Sequence, residues 1–149
     1  MAMTSVEQKR GKALRLPAKG TVIADISLAG QGESFVSEGV DYGANEKYAA
    51  LYAYKGEAAD AEVFIDFLLE VHDGVRDITI DEQRNQVLVH KRGTTYGGYA
   101  RSGTIRQLEM TATRIKAESF ECEGLDDLQR PFRVVGRAFD IVVINPSIG

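Results

Sequence analysis

Alternating apolar and polar positions recur along most of the chain and predict β-strands. Over 21–29, Val22, Ala24, Ile26 and Leu28 alternate with more polar neighbours, apart from Ile23, which is typical of a strand with one buried face. The same reasoning predicts further strands at 34–40, 47–55, 76–81, 86–91, 93–100, 103–110, 114–123 and 132–144. Turn residues separate these segments, and Asp41–Asn45 is one such predicted break. About ten short strands at this spacing are typical of a sandwich or a barrel.

The segment 60–74 fits two periods. With a period of two, Val63, Ile65, Phe67, Leu69 and Val71 line one face, as in a strand. With a period of 3.6, an apolar stripe forms a helix that Asp60 caps and Gly74 ends. The alternation is the cleaner pattern and the flanking segments are strands, so a strand is favoured.

Two details of strand connection are also predicted. The polar loop 81–85 has hairpin length and joins the strands 76–81 and 86–91. Within 114–123 the apolar phase shifts between Ala117 and Phe120, which indicates a β-bulge near Ser119. The expected fold is therefore all-β, an antiparallel β-sandwich or partly closed β-barrel with at most one or two short helices. It forms a single domain over 1–149, in which 1–19 is a polar N-terminal lead-in.

Composition narrows the classes of partner and compartment. The 149 residues carry a net charge of −4, which disfavours nucleic acid and acidic membranes as partners of the whole surface. The single Cys122 excludes an internal disulfide and a cysteine zinc cage. The first residues lack a signal peptide, so a cytoplasmic location is expected, or a secreted one if a leader has been trimmed.

The residues that most often carry chemistry give little signal here. His72 and His90 are expected to lie at the surface, too few for a metal site. Cys122 lies between two glutamates that raise a thiol pKa, so a buried structural cysteine is expected. No phosphate loop or nucleophile motif is present. We expect no catalytic residues, no metal and no cofactor.

Charge is segregated along the chain. Residues 57–82 contain nine acidic residues and one basic residue, whereas 84–116 contain seven basic residues and one acidic residue. One interpretation is that neighbouring antiparallel strands pair these charges across an exposed face. The other is a basic contact patch within 92–102, formed by Arg92, Tyr96, Tyr99 and Arg101, since Arg and Tyr are enriched at binding hot spots.

These observations favour a non-catalytic binding module whose partner is a protein or a small anionic ligand. An edge strand is a further candidate surface, for pairing with a second copy of the chain. One alternative is a small-ligand-binding β-barrel with a cavity lined by Phe64, Phe67 and Phe120. Another is a hydrolase-type enzyme with a cleft lined by carboxylates such as Asp66, Glu70 or Asp140.

Three segments of the C-terminal half carry a resemblance to a known group. They are Ser102-Gly103-Thr104-Ile105, then 112–122, and Gly136-Arg137-Ala138-Phe139-Asp140 with its flanks. Together they resemble uncharacterised bacterial lipoprotein-type β-sandwich domains, in which such strands form a meander. The resemblance implies a fold but no functional residues, and this chain lacks the signal peptide and lipid-attachment cysteine of that group.

Overall fold

The computed structural model describes residues 14–28, 30–92 and 97–144. Leu14 is the only helical residue among them, and the rest of the regular structure is thirteen strands. The strands are β1 (Leu16–Lys19), β2 (Ile23–Leu28), β3 (Gln31–Val36), β4 (Gly39–Ala44), β5 (Tyr48–Glu57), β6 (Asp60–Glu70), β7 (Arg76–Ile80), β8 (Gln86–Lys91), β9 (Gly97–Met110), β10 (Arg114–Ala117), β11 (Ser119–Leu125), β12 (Pro131–Gly136) and β13 (Phe139–Val143). No helix within the described ranges is long and apolar enough to cross a membrane.

The strands form two antiparallel sheets that share β9. Sheet A has the order β10-β13-β1-β4-β5-β6-β8-β9, and sheet B has the order β9-β11-β12-β2-β3 with β7 also paired to β9. The 14-residue β9 pairs with β8 at one end, where Tyr99 lies opposite Leu88, and with β10 at the other, where Met110 lies opposite Ile115. The pairings therefore run in a partial ring and not in a regular barrel. The predicted all-β antiparallel class is confirmed.

The core lies between the two sheets, where their inner faces meet. Phe67 from sheet A packs edge-on against Phe120 from sheet B, with ring centroids 5.2 Å apart, and both contact Phe139. All three rings are buried. Each fully buried side chain of this size stabilises the fold by about 1.5–3 kcal/mol. The aromatic cluster fills the space between the sheets at this point.

The chain crosses from one sheet to the other at corners. At each corner the buried side chains change from odd-numbered to even-numbered positions or the reverse. At Glu118 it leaves β10 in sheet A and enters β11 in sheet B, and the buried positions shift from Ala117 to Phe120. The β-bulge predicted near Ser119 within one strand is wrong, because the shift of phase accompanies a change of sheet between two strands. A second corner at 137–138 divides the segment 132–144, so the single strand predicted there is wrong. A one-residue change of phase keeps apolar side chains inward in both sheets.

The ambiguous segment 60–74 is a strand, as the alternation predicts, because β6 covers Asp60–Glu70. The predicted hairpin over 76–91 is wrong: β7 pairs with β9 in sheet B, whereas β8 pairs with β6 and β9 in sheet A. The polar loop is another crossing between sheets. The Asp81 carboxylate holds it by accepting hydrogen bonds from the backbone N–H groups of Gln83 and Arg84.

Two further boundaries differ from the sequence prediction. The predicted lead-in is wrong for Leu16–Lys19, which forms β1 between β4 and β13 because Leu16 and Ala18 pack against the core. The predicted strand at 34–40 is two strands, β3 and β4, and β4 continues through the predicted break to Ala44. The Ser37 hydroxyl accepts a hydrogen bond from the Val22 N–H at the corner between them, 2.9 Å away.

Candidate functional site on the outer face of sheet A

Two cross-strand rows of side chains occupy the outer face of sheet A. One row consists of Asp41, Tyr52, Asp66, Leu88 and Tyr99, each directly opposite the next. The adjacent row consists of Gly39, Tyr54, Phe64, His90 and Gly97. Most of the residues that alternate with them along the strands are buried in the core, so these two rows point away from it. We call Tyr52, Tyr54, Phe64, His90 and Tyr99 the aromatic face.

Four of these rings form a continuous layer. Tyr52 stacks on Tyr54 with centroids 5.2 Å apart, Tyr52 lies 5.3 Å from Phe64, and Phe64 lies 5.2 Å from His90. The row ends in glycine on both sides because the rings use the space: a Cβ at Gly39 would overlap the Tyr54 ring. A layer of this kind fixes each ring by its neighbours, and aromatic pairs in such arrangements contribute about 0.5–1.5 kcal/mol beyond their burial.

Leu14 and Arg15, which we call the arm, lie across this face. Leu14 packs against Tyr48, Ala50 and Leu68, a small cluster separate from the main core. The Arg15 guanidinium carbon lies 4.4 Å from the centroid of the Tyr52 ring, a cation–π contact.

Arg15 also forms an ion pair, in which its Nη1 lies 3.2 Å from Asp66 Oδ1. The Arg15 side chain is only 10% exposed, so the pair is better shielded from water than most surface pairs. The arm can approach because position 43 is glycine, where a Cβ would overlap the Leu14 carbonyl oxygen.

Beside the arm lies a groove with a volume of about 450 Å³. The Tyr52 hydroxyl donates a hydrogen bond to the Ala58 carbonyl, 2.9 Å away, which ties the tip of the β5–β6 hairpin over the face. The groove is lined by the arm's arginine, two carboxylates, two rings and the hairpin tip: Arg15, Asp41, Asp66, Tyr52, Phe64, Ala58 and Ala59. Its size is that of a site for a small molecule or a single side chain of a partner.

Asp41 is the one groove carboxylate for which the described contacts provide no hydrogen bond and no ion pair. Burial raises its pKa above the ordinary value, and the nearby Arg15 charge offsets this only in part. Burial also raises the pKa of Tyr54, with Asp41 as a second cause, so the carboxylate lies close to that phenol. Among the described residues, Asp41 therefore has the Arg15 charge nearby but no ion pair or hydrogen bond in its partly desolvated position.

The sequence-predicted patch is spread over three places. Arg92 Nη1 lies 2.8 Å from Asp60 Oδ2 beside the β5–β6 hairpin tip, and Arg101 pairs with Glu82 at 3.6 Å. Tyr99 is half-buried on the aromatic face, where burial and then the Asp66 charge raise its pKa. Tyr96, like all of 93–96, lies outside the described residues. The four residues stay a prediction as a binding set, with Tyr99 shared between it and the aromatic face.

The described residues support the pairing interpretation of the charge segregation only in part, because Asp66, Lys91 and Arg114 form ion pairs with residues outside the two segments. Four ion pairs join the acidic segment 57–82 to the basic segment 84–116: Glu70–Arg84, Asp60–Arg92, Glu82–Arg101 and Asp77–Arg106. All are largely exposed, so each contributes at most about 1 kcal/mol.

The histidines and the cysteine occupy different settings. His90 points to the outer side of its strand, as predicted, and its ring lies against Phe64. His72 is half-buried, with Nε2 3.0 Å from the Leu108 carbonyl oxygen. Cys122 is buried, and burial, then the Glu123 and Glu121 charges, raises its pKa to about 12. Within the described ranges, no three His, Cys, Asp or Glu side chains are grouped to hold a metal ion.

The residues of the two alternative functions also have defined places. Phe67 and Phe120 pack against each other in the core, but Phe64 is on the outer face, so its predicted position inside a cavity is wrong. The three candidate carboxylates lie in three separate ion pairs, Asp66 with Arg15, Glu70 with Arg84 and Asp140 with Arg114.

Sequence reasoning missed Asp41, Arg15 and the alignment of Tyr52 and Tyr54. A signal was present in 48–54, where tyrosines at Tyr48, Tyr52 and Tyr54 alternate with apolar residues that are buried. A strand with apolar or aromatic residues on both faces indicates that its second face is also covered or used. The arm and Asp41 carry no such signal, because their position depends on pairing across strands.

The comparisons with known proteins find no relative. No protein-family model, no curated protein and no solved structure matches this chain.

Proposed function

We propose that this chain is a non-catalytic binding module and that its contact surface is the aromatic face with the adjoining groove. The observation that supports the proposal is the layer of rings on the outer side of sheet A, where Tyr52, Tyr54, Phe64 and His90 lie in mutual contact. The core is already complete between the sheets without them.

A preformed aromatic surface suits binding for two physical reasons. Tyrosine gives large contact area together with a hydroxyl that donates or accepts a hydrogen bond. Rings that are held by their neighbours lose little conformational entropy when a partner arrives. Here Tyr54 and Phe64 are half-buried, so each keeps part of its ring accessible. The predicted patch then contributes one border of the surface through Tyr99.

Site-specific photocrosslinking in cells of the native source tests the proposal. A benzoylphenylalanine at position 54 reports on the aromatic face, and the same residue at position 101 reports on the predicted arginine. A third probe at Val135, which is 42% exposed on the outer face of sheet B, is the matched control. Crosslinked products are identified by mass spectrometry, and each variant is first checked for native thermal unfolding.

The proposal predicts a crosslinked product that is several-fold more abundant at position 54 than at Val135. Capture at position 101 without capture at position 54 would move the contact surface to sheet B and to the residues around Arg101. Equal yields at all three positions would contradict a defined contact face.

A further inference from the structure

We infer that the groove beside Asp41 binds an organic cation, and specifically the guanidinium of a basic side chain presented by a partner. The inference deepens the proposed function and rests on it for the location of the contact face. It is carried by the geometry of the groove, in which aromatic rings lie beside a carboxylate that forms no ion pair with a described residue.

Asp41 supplies the charge. It lies directly opposite Tyr52 on the neighbouring strand and lines the groove with it. The other carboxylate of the groove, Asp66, already has Arg15 as its partner. Among its described lining residues, the groove therefore contains one more carboxylate than cations. A cation gains a charge-assisted hydrogen bond here, whereas an anion meets repulsion from Asp41.

The rings supply the second contact. A cation over the face of Tyr or Phe, within about 6 Å of the centroid, is attracted by the ring quadrupole, most strongly where water is displaced. Phe64 and Tyr52 form the wall of the groove, and the Asp41 charge lies near the Tyr54 phenol. A planar guanidinium combines stacking on a ring with a directed bond to a carboxylate, which a compact ammonium does less well.

The chain's own arm shows that this face accepts such a group. The Arg15 guanidinium stacks 4.4 Å from the Tyr52 centroid and bonds Asp66 at 3.2 Å. Asp41 and the exposed part of the groove offer the same two elements, carboxylate and ring, and among the described residues Arg15 forms its ion pair with Asp66 and not with Asp41. A partner's arginine would repeat at Asp41 what Arg15 does at Asp66.

The direct test uses a charged probe and its neutral isostere. Nα-acetyl-arginine methylamide and Nα-acetyl-citrulline methylamide have the same shape, but only the first is a cation. Both are titrated into the full ¹⁵N-labelled chain while amide chemical shifts are followed. We expect saturable shifts on β4, β5 and β6 with the arginine probe, and at least about tenfold weaker binding of the citrulline probe.

Two substitutions locate the site. Asp41→Asn should weaken binding of the arginine probe about tenfold, and Phe64→Leu should weaken it a few-fold while Phe64→Tyr retains it. Asp25→Asn is the matched control, since Asp25 is an exposed carboxylate on the outer face of sheet B, and it should leave binding unchanged. Equal binding of the two probes, or unaltered binding to Asp41→Asn, would overturn the inference.

Salt dependence provides a measurement that needs no variant. Binding between a guanidinium and Asp41 should weaken several-fold as the ionic strength rises from about 0.02 to 0.5 M, since the Debye length shortens over this range. Binding that is independent of salt would overturn the inference even if Asp41→Asn failed to fold.

The experiments identify the source of the cation and test the proposed function separately. A peptide with one arginine that binds much more tightly than the free probe identifies a partner segment, and equal affinities identify a small-molecule cation, which retains the site but not the partner. Crosslinking at position 54 without arginine binding would leave the proposed function standing and remove this inference. Arginine binding without any crosslinked product would retain the cation site but remove the partner, and with it the proposed function.

Discussion

The outer faces of the two sheets differ in how their charges and rings are used. On sheet B, one row consists of Thr104, Glu121, Val135, Asp25 and Ser34. Arg133 forms an exposed ion pair with Glu121 of this row. On sheet A, the corresponding surface carries packed rings, a shielded Arg15–Asp66 pair and a partly buried Asp41 that forms no ion pair with a described residue. A face that only keeps the protein in water needs no aromatic layer and no desolvated carboxylate. This difference is the reason that we propose the outer face of sheet A as the contact surface.

The largest expected effect on stability comes from replacing a glycine at which a neighbouring group leaves no room for a Cβ. Gly136 lies inward in sheet B, and a Cβ there would overlap the ring of Phe120, which the core holds on all sides. Gly136→Ala should lower the free energy of unfolding by about 1–3 kcal/mol or more. Gly43→Ala, which presses on Leu14 of the arm, should lower it less because the arm lies at the surface and can shift.

Urea unfolding measures both losses, with Gly32→Ala as the control. A Cβ at Gly32 meets nothing closer than the Ile26 carbonyl oxygen at 3.9 Å, so its change should stay within about 0.5 kcal/mol. A larger loss for Gly43→Ala than for Gly136→Ala would mean that the arm, and not the core between the sheets, limits stability.

The alternation of apolar and polar residues predicts most of the strands but little of the candidate site. The alternation in 60–74 and in 21–29 predicts β6 and β2, because each strand buries one face and local sequence records that face. The predicted hairpin over 76–91 is wrong because the length of a loop does not determine whether the two strands that it joins belong to the same sheet. A change between even and odd buried positions accompanies each corner between the sheets, but in sequence the change near Ser119 is indistinguishable from a β-bulge.

The candidate site depends on pairings between strands that are distant in sequence. Asp41 meets Tyr52 through one pairing, and Tyr52 meets Asp66 through another. Arg15 reaches Asp66 across 51 residues of sequence. Charge counts found the compensated pairs, because acidic and basic segments are contiguous along the chain. They could not identify Asp41, which differs from the other carboxylates of the candidate site in forming no ion pair with a described residue.

The second prediction compares one ion pair from each face. Arg15→Gln removes a cation whose side chain is 10% exposed and should lower the free energy of unfolding by about 1–3 kcal/mol, since Asp66 and Tyr52 lose a shielded partner. Arg133→Gln removes a cation that is 59% exposed and should change it by less than about 0.5 kcal/mol. The measurement is urea unfolding at low and high salt. Equal losses, or a loss at Arg15 that salt abolishes, would show that sheet A is no more shielded than sheet B.

The smallest expected effect is also the most specific. Neutralising two carboxylates, Asp41 and Asp140, should change the free energy of unfolding in opposite directions. Burial raises the pKa of Asp41, so its ionised form opposes folding above that pKa, and the penalty is relieved as the pH falls towards about 3.8. Asp41→Asn should therefore stabilise the protein at pH 7, by no more than about 0.5 kcal/mol because solvent screens the site. The advantage should disappear near pH 3.5.

Asp140 provides the opposite case. Hydrogen bonds from Arg114 Nε and Nη2, at 2.8 and 2.6 Å, lower its pKa, so its stabilisation is present above about pH 3.8 and is lost as the pH falls through the lowered value. Asp140→Asn should then destabilise the protein at pH 7, and by less as the pH falls. Unfolding of both variants by urea from pH 3 to 7 checks the signs. If Asp41→Asn destabilises the protein at pH 7 as Asp140→Asn does, then the Asp41 carboxylate stabilises the fold through a partner within the chain. It would then not be available to bind a ligand.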